Sequence, residues 1–423
     1  MSTKRTTRAR RQRGRRGPLG QSLLGNVQTM RQVNELLVLK CLRDHAPIAS
    51  VGIAEKLGIN PATVCKVLRR LSRAGFVRRG ALGEAGPRGG RRPRLLQLER
   101  RARLVMGIDV ALATARGIVV DLVGNVLHRA EEARASAPEE AVLRLVSELM
   151  TRLSARERRR LVGVGIGAMG ALYQAGVMFT CGGRVPIAEM VESQFGVEAF
   201  VDENTNAFAM AEKHFGFGRG TSSFLCLWYR HGVGHAFMVE GRLFRGAHNS
   251  FGETRHYLLP DRAENRPDDP LCAVEVRPQA ITEVAARMGA KAGPFLSAAL
   301  HKDARQRPEE VIVAVARGIE ARDPATMKAV DEMARAMSVS ISLLADLFDS
   351  ELLIIGGPLT RWGAAVLEPL RRYVGQLAER TETRTGPPRL EFTRLGDDVI
   401  AFGGAALVME RIFERVGITT VPY

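Results

Sequence analysis

The positive charge of this chain is confined to one end. Residues 1–104 hold 25 of the 62 lysines and arginines but five of the 45 acidic residues (Glu35, Asp44, Glu55, Glu84 and Glu99), a net charge of +20. The whole chain of 423 residues carries +17, so residues 105–423 carry −3. So lopsided a distribution divides the chain into a small basic module and a larger, nearly neutral part with a core of its own. A polyanion is the natural partner of such a module.

The rest of the composition removes other classes. The five cysteines (Cys41, Cys65, Cys181, Cys226, Cys272) are scattered and form no CxxC pair. That pattern fits reduced thiols rather than a disulfide framework, and implies a cytoplasmic protein. No apolar run approaches the roughly 20 residues that span a bilayer. The basic N-terminus is not followed by the apolar stretch of a secretory signal, so no membrane partner is expected.

Residues 1–18 carry eight lysines and arginines and no acid. This is expected to be a disordered basic arm, either simply solvated or lying along phosphates. Residues 19–102 are expected to form a folded DNA-binding domain. A first helix is predicted over 28–44, with Met30, Val33, Leu37 and Cys41 on its packing face. A second spans Ala49 to Leu57, and Gly58-Ile59-Asn60-Pro61 breaks the pattern. Asn60 is a good N-cap and Pro61 suits the first helical position, where its missing N–H is not needed. A third helix follows to about Ala74. Two strands, starting at Phe76 and at Leu95, then flank a Gly/Pro/Arg-rich loop. Helix–turn–helix followed by a basic hairpin is a winged helix-turn-helix.

In the third helix Val64, Val67, Leu68 and Leu71 repeat at helical spacing and should face the other helices. Thr63, Lys66, Arg69 and Arg70 lie on or beside the opposite face, with Ala62 and Arg73. Small residues at the N-terminal end let such a helix enter the major groove, and long cations reach bases or phosphates. Taken alone, the helix reads better as one with a solvated basic face. The preceding turn and the following wing favour DNA. The wing supplies Arg88, Arg91 and Arg92 among glycines that permit close backbone approach.

From Leu104 onward strands and helices alternate. Strands are predicted at 104–110, 115–123, 126–130, 161–168, 197–201, 222–230, 234–244 and 351–355, with helices at 138–153, 186–195, 204–215, across 277–348, and at 399–416. This is an α/β chain with a βββα opening.

An ordered set of motifs then appears: ATVCKVLRRLSRAGFV, GGRRPRLLQL, MGIDV, GVGIGAMG, VDENTNAFAMAEKHFG, HGVGHAFMVEGRLFRGAH, FGETRH, LLIIGGPL and LGDDVIAFGGAAL. With them the chain resembles the ROK family of repressors, open reading frames and kinases, and in particular its transcriptional repressors. The resemblance covers nearly everything after residue 28. It implies a bilobal actin/hexokinase-like domain over 103–423, with a sugar cleft between the lobes in members that bind sugar.

A kinase of this fold needs a phosphate cradle, a base and sugar contacts. The cradle is implied after the first strand, at Asp109-Val110-Ala111-Leu112-Ala113-Thr114. There Ala111 and Leu112 replace the glycines that let backbone N–H groups approach phosphate. The Asn-Asp pair of the family falls on Glu203 and Asn204 once Asn206-Ala207 sets the register. Asn204 therefore stands where the base should be, and an amide cannot take a hydroxyl proton. Gly232-Val233-Gly234 keeps part of a second phosphate loop, and Gly356-Gly357 resembles the adenosine-side turn or is a packing turn.

The resemblance also implies a structural zinc on the histidine of the GE-x-GH motif. The chain has Glu253 and His256, but Cys272 is the sole cysteine where a CxCGxxGC cluster should follow. One thiol and one imidazole cannot complete a tetrahedral site, so no metal and no cofactor are expected. Glu203, Asn204, Glu253 and His256 either bind a sugar or sugar phosphate from two sides of the cleft or are polar groups satisfied by neighbours. The reading is a non-enzymatic regulator, a repressor of sugar-related genes, that binds a double-stranded operator as a homodimer or homotetramer. The alternatives are a sugar kinase with a DNA-binding appendage, or a DNA-bound scaffold that needs no small ligand.

Overall fold

The computed structural model describes residues 27–84, 92–110, 114–133, 137–168, 176–180, 183–229, 233–247, 251–252, 291, 293–297, 308–379 and 386–414. The chain divides into two compact units between Leu98 and Glu99. The arm of residues 1–18 lies outside the described residues.

The first unit contains α1 (Val27–His45), β1 (Ile48–Ala49), α2 (Ser50–Leu57), α3 (Pro61–Arg73), β2 (Val77–Leu82) and β3 (Arg94–Leu98). Its antiparallel sheet runs β1-β3-β2, and β2 with β3 forms the wing. Helix α3 starts where its sequence predicts: Asn60 Oδ1 accepts from Ala62 N at 2.8 Å and Pro61 leads the first turn. Val64, Val67, Leu68 and Leu71 are buried. The predicted face of α1 is corrected. Cys41 is buried, but Met30, Val33 and Leu37 are exposed. The packed stripe is Glu35, Val38, Leu39 and Leu42, at i, i+3, i+4 and i+7. A carboxylate inside that stripe hid it from a purely apolar count. Glu35 is tolerated there because Arg70 of α3 donates to it through Nε at 2.5 Å.

The second unit has two lobes built on one topology. In lobe one the sheet order is β10-β7-β4-β5-β6. Strands β4 (Leu104–Val110), β5 (Thr114–Asp121) and β6 (Val126–Ala133) form an antiparallel meander. Strands β7 (Leu161–Ala168) and β10 (Ala199–Glu203) add to it in parallel. A small hairpin, β8 (Met178–Thr180) and β9 (Gly183–Val185), stands apart. In lobe two the order is β13-β12-β11-β14-β15. It repeats the plan with a meander of β11 (Phe224–Tyr229), β12 (Val233–Val239) and β13 (Arg242–Phe244). Parallel strands β14 (Leu352–Gly356) and β15 (Arg389–Phe392) follow.

One face of the first sheet is covered by α4 (Pro138–Arg152) and α6 (Ile187–Phe195); the short α5 (Ala155–Arg158) leads into β7. The other face packs against α7 (Asn204–Phe215) and the last helix, α11 (Val399–Glu414). The approach of α11 is unusually close. A Cβ on Gly165 would stand 1.8 Å from Gly404 O, and one on Gly107 would stand 1.8 Å from Ala401 O. Helix and sheet therefore meet backbone to backbone. The second sheet buries Leu225, Leu227, Leu353 and Ile355 against α8 (Pro308–Glu320), α9 (Pro324–Leu347) and α10 (Ala364–Ala378).

Two parts of this fold depart from the sequence reading. The strand predicted over 234–244 is a hairpin, folded at Glu240 (φ 50°) and Gly241 (φ 72°). Positive φ at both turn residues makes a two-residue hairpin whose twist suits the flanking strands. The elements α10 and β15 were not anticipated, because Pro369 inside α10 and the short span of β15 blur both periodicities.

Candidate nucleic-acid interface and ligand cleft

The described part of the predicted DNA surface is α3 and the wing strands. Lys66, Arg69 and Arg73 are exposed along one side of α3, with Ala62 and Cys65, while Thr63 is half-buried. Arg69 Nε reaches back to Cys65 O at 3.4 Å, which leaves the guanidinium edge outward. Arg70 is placed differently: it ties α3 to the buried Glu35, which Arg31 also approaches at 3.4 Å. Its charge is spent inside the unit, and its side chain remains 27% exposed. On the wing, Arg92 is exposed and Arg78 Nη2 donates to Gln97 Oε1 at 2.5 Å. Arg88 and Arg91 lie outside the described residues.

In the second unit, Glu203 and Asn204 come together where β10 meets α7. Glu203 is the N-cap of α7; its carboxylate accepts from Thr205 N at 2.7 Å and Asn206 N at 3.3 Å. An acidic cap also suits the positive end of the helix dipole. Asn204 is buried, and its Oδ1 accepts from the Thr205 hydroxyl at 3.2 Å. Asp202, fully buried, holds the same corner. It accepts from Glu203 N at 2.8 Å and Asn206 Nδ2 at 2.9 Å, and forms a two-pronged ion pair with Arg245 (3.1 and 2.5 Å). That pair joins the edge strand of one lobe to the chain just after the edge strand of the other. Of the four predicted ligand residues, the structure thus brings Glu203 and Asn204 together. Glu253 and His256 lie outside the described residues, as do Ala111 and Leu112.

The glycines read as phosphate loops have packing reasons. A Cβ on Gly234 would collide with the Thr205 hydroxyl at 2.1 Å, and one on Gly357 with Tyr229 O at 1.8 Å. His235, where a further glycine was expected, is buried and donates through Nδ1 to Gly252 O at 3.1 Å. Burial pushes its pKa below the usual histidine value, the hydrogen bond opposing. The residues weighed as zinc donors, His256 and Cys272, lie outside the described residues.

A cleft of about 610 Å³ opens beside this corner, between β10, α7, β13 and α11. Its walls carry Lys213, Arg242, Arg245, Glu410 and Arg411, with Phe200, Met210 and Leu407 beneath. Glu410 organises the far end, bonding Lys213 Nζ at 2.7 Å and the buried His214 Nε2 at 2.8 Å. Burial would raise its carboxyl, but His214 and Lys213 outweigh that and hold it at about 2. Sequence reasoning missed this cleft, because its cations come from three separate segments that no spacing links.

A winged helix-turn-helix joined to a bilobal α/β unit of doubled meander sheets defines a class: a DNA-binding module on a hexokinase-like fold. The chain belongs to the ROK family, whose model matches residues 105–411; a MarR family model matches residues 32–82. It is similar to the xylose repressor of Caldicellulosiruptor bescii, 25% identical over 402 residues, covering 91% of this chain and 98% of that protein. It is also similar to the transcriptional dual regulator NagC of Escherichia coli K12, 25% identical over 259 residues, or 58% of this chain and 62% of NagC. Among solved structures, a ROK family transcriptional regulator described as a homologue of the E. coli MLC protein shares the fold. It superposes with a TM-score of 0.70 at 22% identity, over 91% of this chain and 97% of that one. A ROK glucokinase from Streptomyces griseus shares the second unit's fold, with a TM-score of 0.59 at 23% identity, over 73% and 99%.

Proposed function

We propose that this protein is a sugar-responsive, DNA-binding transcriptional repressor in which the bilobal unit is a sensor and not an enzyme. One observation carries the reading: a winged helix-turn-helix with Lys66, Arg69 and Arg73 exposed along its third helix precedes a kinase-like unit whose base position is Asn204. The repressor names of relatives that match nearly the full chain support it. Thr63, Lys66, Arg69 and the wing arginines Arg88, Arg91 and Arg92 meet the operator, and Arg70 supports their helix.

The sugar or sugar phosphate is sensed near the corner built by Asp202, Glu203 and Asn204, with Glu253 and His256 as further candidates. It acts by binding more tightly to one arrangement of the chain than to the other. The protein acts as a homo-oligomer without membrane contact; no described helix is long and apolar enough to cross a membrane. The domain limits that go with this reading are a basic arm over 1–18, a DNA-binding domain over 19–102 and a sensor over 103–423.

The test is genome-wide recovery of DNA fragments by the purified protein and by its Lys66→Ala/Arg69→Ala variant. A palindromic motif enriched by the parent and lost in the variant is expected. Sequence-independent recovery by both would overturn the operator reading. Sugar-dependent ATP turnover above background would overturn the sensor reading and make the protein a kinase.

A further inference from the structure

The nearly neutral second unit has one strongly basic end. Strands β4 and β7 are parallel neighbours, with Leu104 paired to Leu161. The segments that enter them therefore lie side by side at the N-terminal end of the first sheet. Both are rich in arginine. Arg100, Arg101 and Arg103 precede β4, and Arg156, Arg158, Arg159 and Arg160 precede β7. The two segments are stitched together: Leu104 N donates to Arg160 O at 2.8 Å and Arg160 Nη1 to Arg101 O at 2.9 Å. Arg158 Nε donates to Met150 O at 3.0 Å. Carbonyls orient these guanidinium groups without neutralising them.

Seven arginines in these two segments outnumber the two acids, Glu99 and Glu157, that lie among them. Glu157 accepts from the Ser154 N–H at 3.0 Å and hydroxyl at 2.7 Å, bonds that lower its pKa, with the charge of Arg101 a lesser contribution. Asp121 accepts from Val123 N, Asn125 N and Asn125 Nδ2. Among the described residues, Arg100, Arg101, Arg156, Arg158, Arg159 and Arg160 form no ion pair. Arg101, Arg156 and Arg160 line a hollow of about 330 Å³ together with Glu99 and Glu157, three cations to two acids. The patch lies at the opposite end of the strands from Glu203 and Asn204, so it belongs to neither the cleft nor the corner beside it. One residue, Glu99, separates Arg100 from the last wing strand.

We propose that this arginine patch is a second phosphate-binding surface, by which the sensor unit itself grips the backbone of the duplex that the winged helix reads. Clustered exposed arginines fit phosphate through two-pronged donation, and a one-residue link in the chain tethers them to the DNA-binding module. The proposal rests on the DNA-binding reading above. The contact is to backbone, so it adds affinity on every sequence and no base preference.

The experiment compares full-length parent, Arg156→Ala/Arg159→Ala, Lys66→Ala/Arg69→Ala and a charge-matched control, Lys328→Ala/Arg335→Ala, on a long mixed-sequence duplex across a salt series. In the patch variant the slope of log K against log salt should be shallower by about 1 to 2, one for each phosphate that is no longer neutralised. The control should keep the parent slope, and Arg156→Lys/Arg159→Lys should restore most of the binding if the alanine variant melts lower. A patch variant with the parent's slope, while Lys66→Ala/Arg69→Ala loses binding, overturns this proposal alone. A parent that binds without salt dependence overturns the DNA-binding reading itself. Loss of binding to an acidic protein surface with DNA binding intact would reassign the patch and also overturn the proposal.

Discussion

At the scale of single residues, the corner between the lobes depends on paired charges held out of water. Asp202 is fully buried and Arg245 is its cation. Removing one member of such a pair strands the other. Arg245→Ala should therefore lower stability by about 3 to 5 kcal/mol, read from chemical denaturation, with Asp202→Asn recovering part of the loss in the double variant. An unchanged denaturation midpoint in Arg245→Ala would refute the pairing. Glu410 supports a pH prediction. Its folded pKa, about 2, lies below the ordinary 4.5, so its contribution is full above pH 4.5 and drains away as pH falls from there through 2. Glu410→Gln should be less stable than the parent near neutrality by about 3 kcal/mol. Thermal melts of the two proteins should converge on acidification; a constant gap would argue against the mechanism.

At the scale of elements, α3 and α11 show how far local pattern reaches. The cap, start and buried face of α3 were legible because Asn60, Pro61 and the valine–leucine stripe all speak locally. The role of Arg70 was not, since its partner Glu35 lies on another helix and nothing in the spacing of α3 distinguishes Arg70 from Arg69. The two arginines should separate in mutation. Arg70→Ala should lower the melting temperature of the winged unit and leave the salt slope of the folded protein unchanged; Arg69→Ala should do the reverse. For α11, the glycines of GGAAL were legible as a motif, while their purpose appears only when the helix meets β7. Gly404→Ala introduces a Cβ that would lie 2.3 Å from Gly165 O. Backbone cannot retreat as a side-chain tip can, so loss of the folded second unit, seen as insolubility or a melting point lowered by many degrees, is expected. A variant as stable as the parent would mean that α11 sits farther from the sheet.

At the scale of the whole molecule, the division into two parts was legible from charge alone, and the α/β character from alternating elements. Three arginines counted with the basic end, Arg100, Arg101 and Arg103, belong structurally to the second unit, where they lie just before its first strand. Charge reveals that two parts exist but cannot mark the joint between them. Assembly was legible only as an expectation. The surface of α9 now offers a place for it: Val339, Leu343 and Leu347 are exposed at 61, 45 and 66%, one helical turn apart. Val339→Lys/Leu343→Lys should shift the protein toward monomer in sedimentation. Parent and variant sedimenting alike would move the interface elsewhere.

The position of α11 has a bearing on synthesis. Lobe one is made from residues 104–215 and from 399–414, so one face of its sheet stays only partly covered until α11 leaves the ribosome. The described helices and strands of the winged unit all precede Glu99 and have no such wait. A nascent or prematurely terminated chain would thus own a finished DNA reader before it owned a sensor.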